Sequence, residues 1–178
     1  MNLVQHENQR VAVFVDNQNM YYSAKNLYNS LIDFSAVLKQ ALGKRKLIRA
    51  FSYVIKADVG AEKEFFNALE KIGFEVKSKD LQVFYGGNKK GDWDVGLCMD
   101  VVRMIPKIDV CVLVSGDGDY AELVDYAKSQ GVRVEVIAFS KTASSRLLEV
   151  ADSFYDLSSQ TKRFLIQKWL IKYFFIFF

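Results

Sequence analysis

The chain alternates between short apolar runs and longer segments in which apolar residues recur every three or four positions. Val11–Val15 (VAVFV), Leu47–Val54, Val110–Val114 (VCVLV) and Val132–Ala138 are rich in β-branched residues. Runs of this length and composition predict strands buried on both faces. Glu75–Ser78 and Leu81–Tyr85 predict two shorter strands, followed by a Gly86-Gly87-Asn88 loop. Helical spacing marks Phe34–Leu42, with Asp33 or Ser35 as its cap and Gly43 as its stop. It also marks Ala61–Ile72, whose face carries Phe65, Phe66, Leu69 and Ile72, and Trp93–Ile105, ended by Pro106. Tyr120–Gln130 and the shorter Ser144–Ala151 complete the set. Strands alternating with helices predict a three-layer α/β/α sandwich around a mainly parallel sheet.

At 178 residues the chain has room for one domain and a short appendage. Residues 1–9 read as an N-terminal extension, 10–158 as the domain and 159–178 as an apolar, basic tail. Half the residues are apolar and a quarter are charged, which supports a packed core and argues against disorder. The net charge of +3 is uneven. Residues 161–178 hold four basic residues and no acid, which leaves 20 basic against 21 acidic residues in 1–160. The domain is therefore balanced, and an anionic ligand would need a local patch or a metal. Cys98 and Cys111 sit inside apolar runs, too few for a disulfide framework or a zinc site. With no signal-peptide pattern at the N-terminus, they point to the cytoplasm.

In an open α/β sheet, ligands bind beyond the carboxyl ends of the strands. Val11–Val15 is followed by Asp16-Asn17-Gln18-Asn19, and Val110–Val114 by Ser115-Gly116-Asp117-Gly118-Asp119. If those strands are neighbours, Asp16, Asp117 and Asp119 converge. Gly91-Asp92-Trp93-Asp94 opens a helix, with Asp92 as a candidate cap and Asp94 in the first turn. Asp100 lies about 600° further round that helix and does not share the face of Asp94. Clustered carboxylates repel unless a cation fills them, and Mg²⁺ or Mn²⁺ suits oxygen ligands of this kind. Phosphoryl chemistry is a natural use of such a site. His6, the only histidine, stands apart in the polar N-terminal stretch.

The segments VFVDNQN (13–19), KKGDWDVGLCMD (89–100) and LVSGDGDY (113–120) resemble, in order and spacing, the three signature segments of the NYN domain. That domain belongs to the PIN-like nuclease superfamily, and the chain is most similar to its LabA-like branch. The resemblance spans roughly residues 10–157. It implies a PIN-like fold and a metal-dependent ribonuclease, and a single-stranded RNA substrate is expected because a flexible strand can bend its phosphate into a cleft. By position it implies Asp16, Asp94, Asp117 and Asp119 as catalytic, metal-binding acids with Mg²⁺ or Mn²⁺. Asn19, Asp100 and Ser115 match supporting positions, and Lys90 matches a lysine that touches phosphate.

Other basic residues offered as RNA contacts are Lys44, Arg45, Lys46, Lys77, Lys79, Lys89, Lys141 and Arg146. Tyr21, Tyr22, Tyr85 and Tyr120 flank the acidic segments as candidates for stacking on a base. The alternative is a non-catalytic regulatory module of the LabA-like type that binds RNA or protein. An aspartyl phosphatase would need a second acid at position 18, where this chain has Gln18. Phe164–Phe178 is intensely apolar but shorter as a helix than a bilayer core. Packing on its own domain or a dimer partner is the default for this tail, with membrane contact as the rival.

Overall fold

The computed structural model describes residues 5–56, 62–80, 82–83, 89–90 and 92–166. The central sheet contains β1 (Arg10–Asp16), β2 (Lys46–Lys56), β3 (Glu75–Asp80), β6 (Val110–Val114), β7 (Arg133–Ala138) and β8 (Ser153–Asp156). They lie in the order β3-β2-β1-β6-β7-β8, and every neighbouring pair is parallel. A separate antiparallel pair joins β4 (Gln82–Val83) to β5 (Lys89–Lys90). The expected strand 81–85 is therefore described only at Gln82–Val83, and the Gly86–Asn88 loop lies outside the described residues.

The helices are α1 (Asn17–Tyr28), α2 (Phe34–Leu42), α3 (Glu62–Ile72), α4 (Asp94–Met104), α5 (Ala121–Ser129), α6 (Ser145–Val150) and the single turn α7 (Thr161–Phe164). They cover both faces of the sheet, giving the three-layer α/β/α sandwich of a PIN-like fold. Alternation along β1 builds the two cores. Val11, Val13 and Val15 face Met20, Ala24, Val37 and Leu69 of α1, α2 and α3. Ala12 and Phe14 face Leu97, Val101, Leu123 and Leu147 of α4, α5 and α6. All five strand residues are fully buried, and each large apolar side chain among them contributes about 1.5–3 kcal/mol of transfer free energy.

Two elements go beyond the sequence expectation. Helix α1 follows β1 directly, with the Asp16 side chain accepting from Asn19 N at its start and Asn29 in the left-handed region (φ 47°) at its end. Its inward face is Asn17, Met20, Ser23 and Ala24, too polar to stand out as a stripe. Strand β8 adds the edge beyond β7 with four half-buried residues. One expectation is corrected: α4 begins at Asp94 with Trp93 at the cap position, so Asp92 precedes the helix instead of capping it.

The start of the apolar tail packs on its own domain. Phe164 is fully buried in the α1–α2 core. Leu165 pairs with Ile32, and Ile166 N donates to Leu31 O at 2.9 Å. Residues 167–178, with the dimer and membrane readings that rest on them, lie outside the described residues. Among the described residues no helix is long and apolar enough to cross a membrane.

Candidate metal centre

The strand order reverses between β1 and β6. Strand β1 leads into α1 on one face of the sheet, and β6 leads toward α5 on the other. Connections that leave on opposite faces open a crevice at the strand tips. A cleft of about 390 Å³ occupies that place, lined by Asp16, Asp94 and Asp117 among others.

Each acid comes from a different element. Asp16 is the last residue of β1, Asp94 the first of α4, and Asp117 lies in the turn after β6. A carboxylate oxygen from each falls within 4.8 Å of the others. Ser115, fully buried, donates to Asp16 Oδ2 at 3.2 Å and accepts from Asp117 N at 3.1 Å. Asn19 donates its N–H to Asp16 Oδ1 at 3.1 Å, and its own Oδ1 accepts from Gly116 N at 3.0 Å. These two side chains lock the tips of β1 and β6 together. Gly116 and Gly118 sit in close approach to the loop after β7. A Cβ on Gly116 would lie 3.0 Å from Ala143 Cα, and one on Gly118 would lie 2.6 Å from Ser144 Oγ.

Helix α4 is oriented from outside the cleft. Trp93 Nε1 donates to Val54 O at 2.9 Å, and the Trp93 ring packs on Tyr53. Asp100, buried, accepts from Tyr53 at 3.0 Å, from Lys77 at 2.5 Å and from Arg103 at 3.1 Å. Burial opposes its ionisation, but these donors outweigh it and hold its pKa below the usual carboxylate value. Asp100 thus sits beside β2 and β3, away from the acidic trio, and fixes the rotation that turns Asp94 into the cleft.

Asp16 and Asp94 have the opposite electrostatics. Burial pushes Asp16 up, against the bonds from Asn19 and Ser115, and the charges of Asp94 and Asp117 add to the rise. Burial also raises Asp94, with Tyr120 opposing and the charges of Asp92, Asp117 and Asp119 adding. Among the described residues no lysine or arginine pairs with any of the three. An all-oxygen donor set under mutual repulsion fits a hard divalent cation, and among the described residues no thiol or imidazole joins the trio to favour a softer one.

Other expected site residues fall elsewhere. Asp119 is exposed and stands outside the trio, its N–H donating to the capping Asp117 Oδ1 at 3.0 Å. Arg45 is corrected from RNA contact to core residue: it is buried and paired twice with Glu135, at 2.8 and 2.9 Å. Its neighbour Lys46 opens β2 seven residues before Tyr53, the partner of Asp16. At 3.3 Å per residue that is about 20 Å from the acids. Lys44 lies at the same far pole, close to Glu7. Arg146 is exposed but paired with Glu122, and Lys141 is exposed beside cleft-lining Thr142. Lys89 and Lys90 are described only as β5 backbone.

Of the candidate stacking residues, Tyr120 is buried, Tyr85 lies outside the described residues, and Tyr21 is exposed but does not line the cleft. Tyr120 instead donates to Asp94 Oδ1 at 3.1 Å, a role with no local sequence signal. Tyr22 remains, exposed and lining the cleft.

The chain matches the model of the NYN domain over residues 10–158. It is 26% identical over 157 residues, 84% of each chain, to the low amplitude and bright protein LabA of Synechococcus elongatus. Among solved structures, a protein of unknown function from Vibrio parahaemolyticus superposes with a TM-score of 0.82 at 30% identity, over 92% of this chain and 100% of that one.

Proposed function

We propose, because the chain belongs to the NYN-domain family and to its LabA-like branch within the PIN-like nuclease superfamily, that it is a metal-dependent ribonuclease acting on single-stranded RNA. The observation that carries this reading is the trio Asp16, Asp94 and Asp117, gathered within 4.8 Å with no cationic side chain among the described residues paired to it. These carboxylates would hold Mg²⁺ or Mn²⁺, with Asp119 at the exposed rim. Such an ion supplies activation of the attacking water and neutralisation of charge on the phosphate.

The chain's own groups do the positioning. Ser115 and Asn19 aim the Asp16 carboxylate, and Tyr120 holds Asp94. Asp100 keeps α4 in its orientation through Tyr53 and Lys77. Attack by water leaves a 5′-phosphate and needs no 2′-hydroxyl nucleophile. The two free cysteines, Cys98 and Cys111, accord with a cytoplasmic location.

The test is cleavage of labelled single-stranded RNA in Mn²⁺, Mg²⁺ or EDTA by wild type, Asp16→Asn and Asp117→Asn. Metal-dependent cleavage lost in both variants is expected. A folded wild type that binds Mn²⁺ but cleaves nothing would move the assignment to a regulatory binding module.

A further inference from the structure

One wall of the cleft is not explained by the acids. It is the exposed side of α1, where Gln18, Tyr22 and Asn26 recur at every fourth position and stand in one row over two turns. Tyr22 is 55% exposed, and Tyr21 steadies its ring edge to face at 5.4 Å. Behind the row, Thr142 Oγ1 donates to the buried Ser23 Oγ at 2.9 Å, tying α1 to the loop after β7. No lysine or arginine lines this cleft among the described residues.

We infer that this row is a subsite for one unpaired nucleobase, next to the phosphate held at the acids. The inference rests on the ribonuclease reading of the same cleft and adds what selects the substrate. Amides and a phenol can also meet phosphates, but a wall that tracks the backbone draws on cations for its affinity, and this one has none among the described residues. It offers instead an aromatic face and two primary amides. The face suits any base, and each amide both donates and accepts, as the edges of bases require. A base inside a duplex keeps its faces stacked on its neighbours, so the Tyr22 ring selects single strands. Tyr22 lies six residues beyond Asp16, about 9 Å along the helix axis, within reach of the adjoining nucleoside.

The experiment combines binding and kinetics on the full chain. Fluorescein-labelled RNA oligonucleotides of each base composition, single-stranded and duplex, are titrated in Ca²⁺ by anisotropy. Cleavage of the same strands is followed in Mn²⁺. Tyr22→Ala is expected to weaken single-strand binding about tenfold, raising KM with little change in kcat, while Tyr22→Phe behaves as wild type. Asn26→Ala and Gln18→Ala are expected to flatten the preference among bases. Wild-type binding and KM in Tyr22→Ala would overturn the subsite and leave the nuclease standing. Tyr22-dependent binding without cleavage in any metal would overturn the nuclease and keep the subsite. No RNA binding in either ion would overturn both.

Discussion

Tyr120 Oη lies 3.1 Å from Asp94 Oδ1 and 3.5 Å from Asp16 Oδ2, so one buried hydroxyl stands between the carboxylates of α4 and β1. Its single proton serves the shorter contact. Burial and the flanking acids drive its own pKa far upward, so it stays a donor at every working pH. It holds Asp94 in register with the other acids without taking a coordination place from them. Tyr120→Phe is therefore expected to fold normally and to bind Mn²⁺ about ten- to a hundredfold more weakly, as the loss of one hydrogen bond to a charged group implies. Calorimetric Mn²⁺ titration checks this, and unaltered affinity would refute it.

The raised carboxyls make a second prediction, about pH. Burial and neighbouring charge lift Asp16 above its ordinary 3.8, so between those two values the folded state holds a proton that the unfolded chain has released. More protons bound in the native state means stability that falls as pH rises through that window. Asp94 adds in the same direction. Asp16→Asn is expected to gain on wild type in melting temperature from about pH 3.5 upward. Mn²⁺ at neutral pH is expected to raise the melting temperature of wild type and not that of the variant. Parallel melting curves for the two proteins across pH would contradict the strain at Asp16.

Arg45 and Glu135 illustrate what a sequence hides. Lys44-Arg45-Lys46 reads as a solvated basic patch, and nothing in the chain connects position 45 to position 135. Only the β1–β2 and β6–β7 register brings them together, as a pair whose side chains are 1% and 11% exposed. The apolar runs, the acids at their tips and the helix stops were legible because each is a local pattern. Helix α1 was not, because small and polar residues make up much of its buried face. The separation of Asp119 from Asp117 was also invisible. It arises from the tight turn Gly118–Tyr120, which caps on Asp117 and leaves Asp119 exposed.

Arg45→Ala is accordingly expected to cost stability rather than RNA affinity. Glu135 would keep Arg133 at 3.2 Å, so the loss stays below the about 3–5 kcal/mol of a fully stranded buried charge, and Arg45→Met with Glu135→Leu should recover much of it. Urea denaturation alongside RNA titration separates the two effects. Weaker RNA binding at an unchanged midpoint would restore Arg45 as a contact.

The first residues of the tail belong to the fold. Phe164 is fully buried, meeting Tyr155 at 5.7 Å between ring centroids, and its carbonyl accepts from Asp33 N at the cap of α2. Phe164→Ala is expected to lose about 3–5 kcal/mol. A chain ending at residue 166 is expected to melt well above one ending at 160. Equal melting temperatures would show that the docking contributes nothing.

The absence of lysine and arginine from the described cleft lining has a kinetic consequence. Three carboxylates that no lysine or arginine among the described residues neutralises repel a polyanion, so an RNA strand meets a barrier at an empty centre and an attraction at a loaded one. On the ribonuclease reading, events are thereby ordered: the ion enters first and the strand second. The free concentration of one divalent cation then governs admission as well as turnover, and the domain reports that concentration as an on-rate.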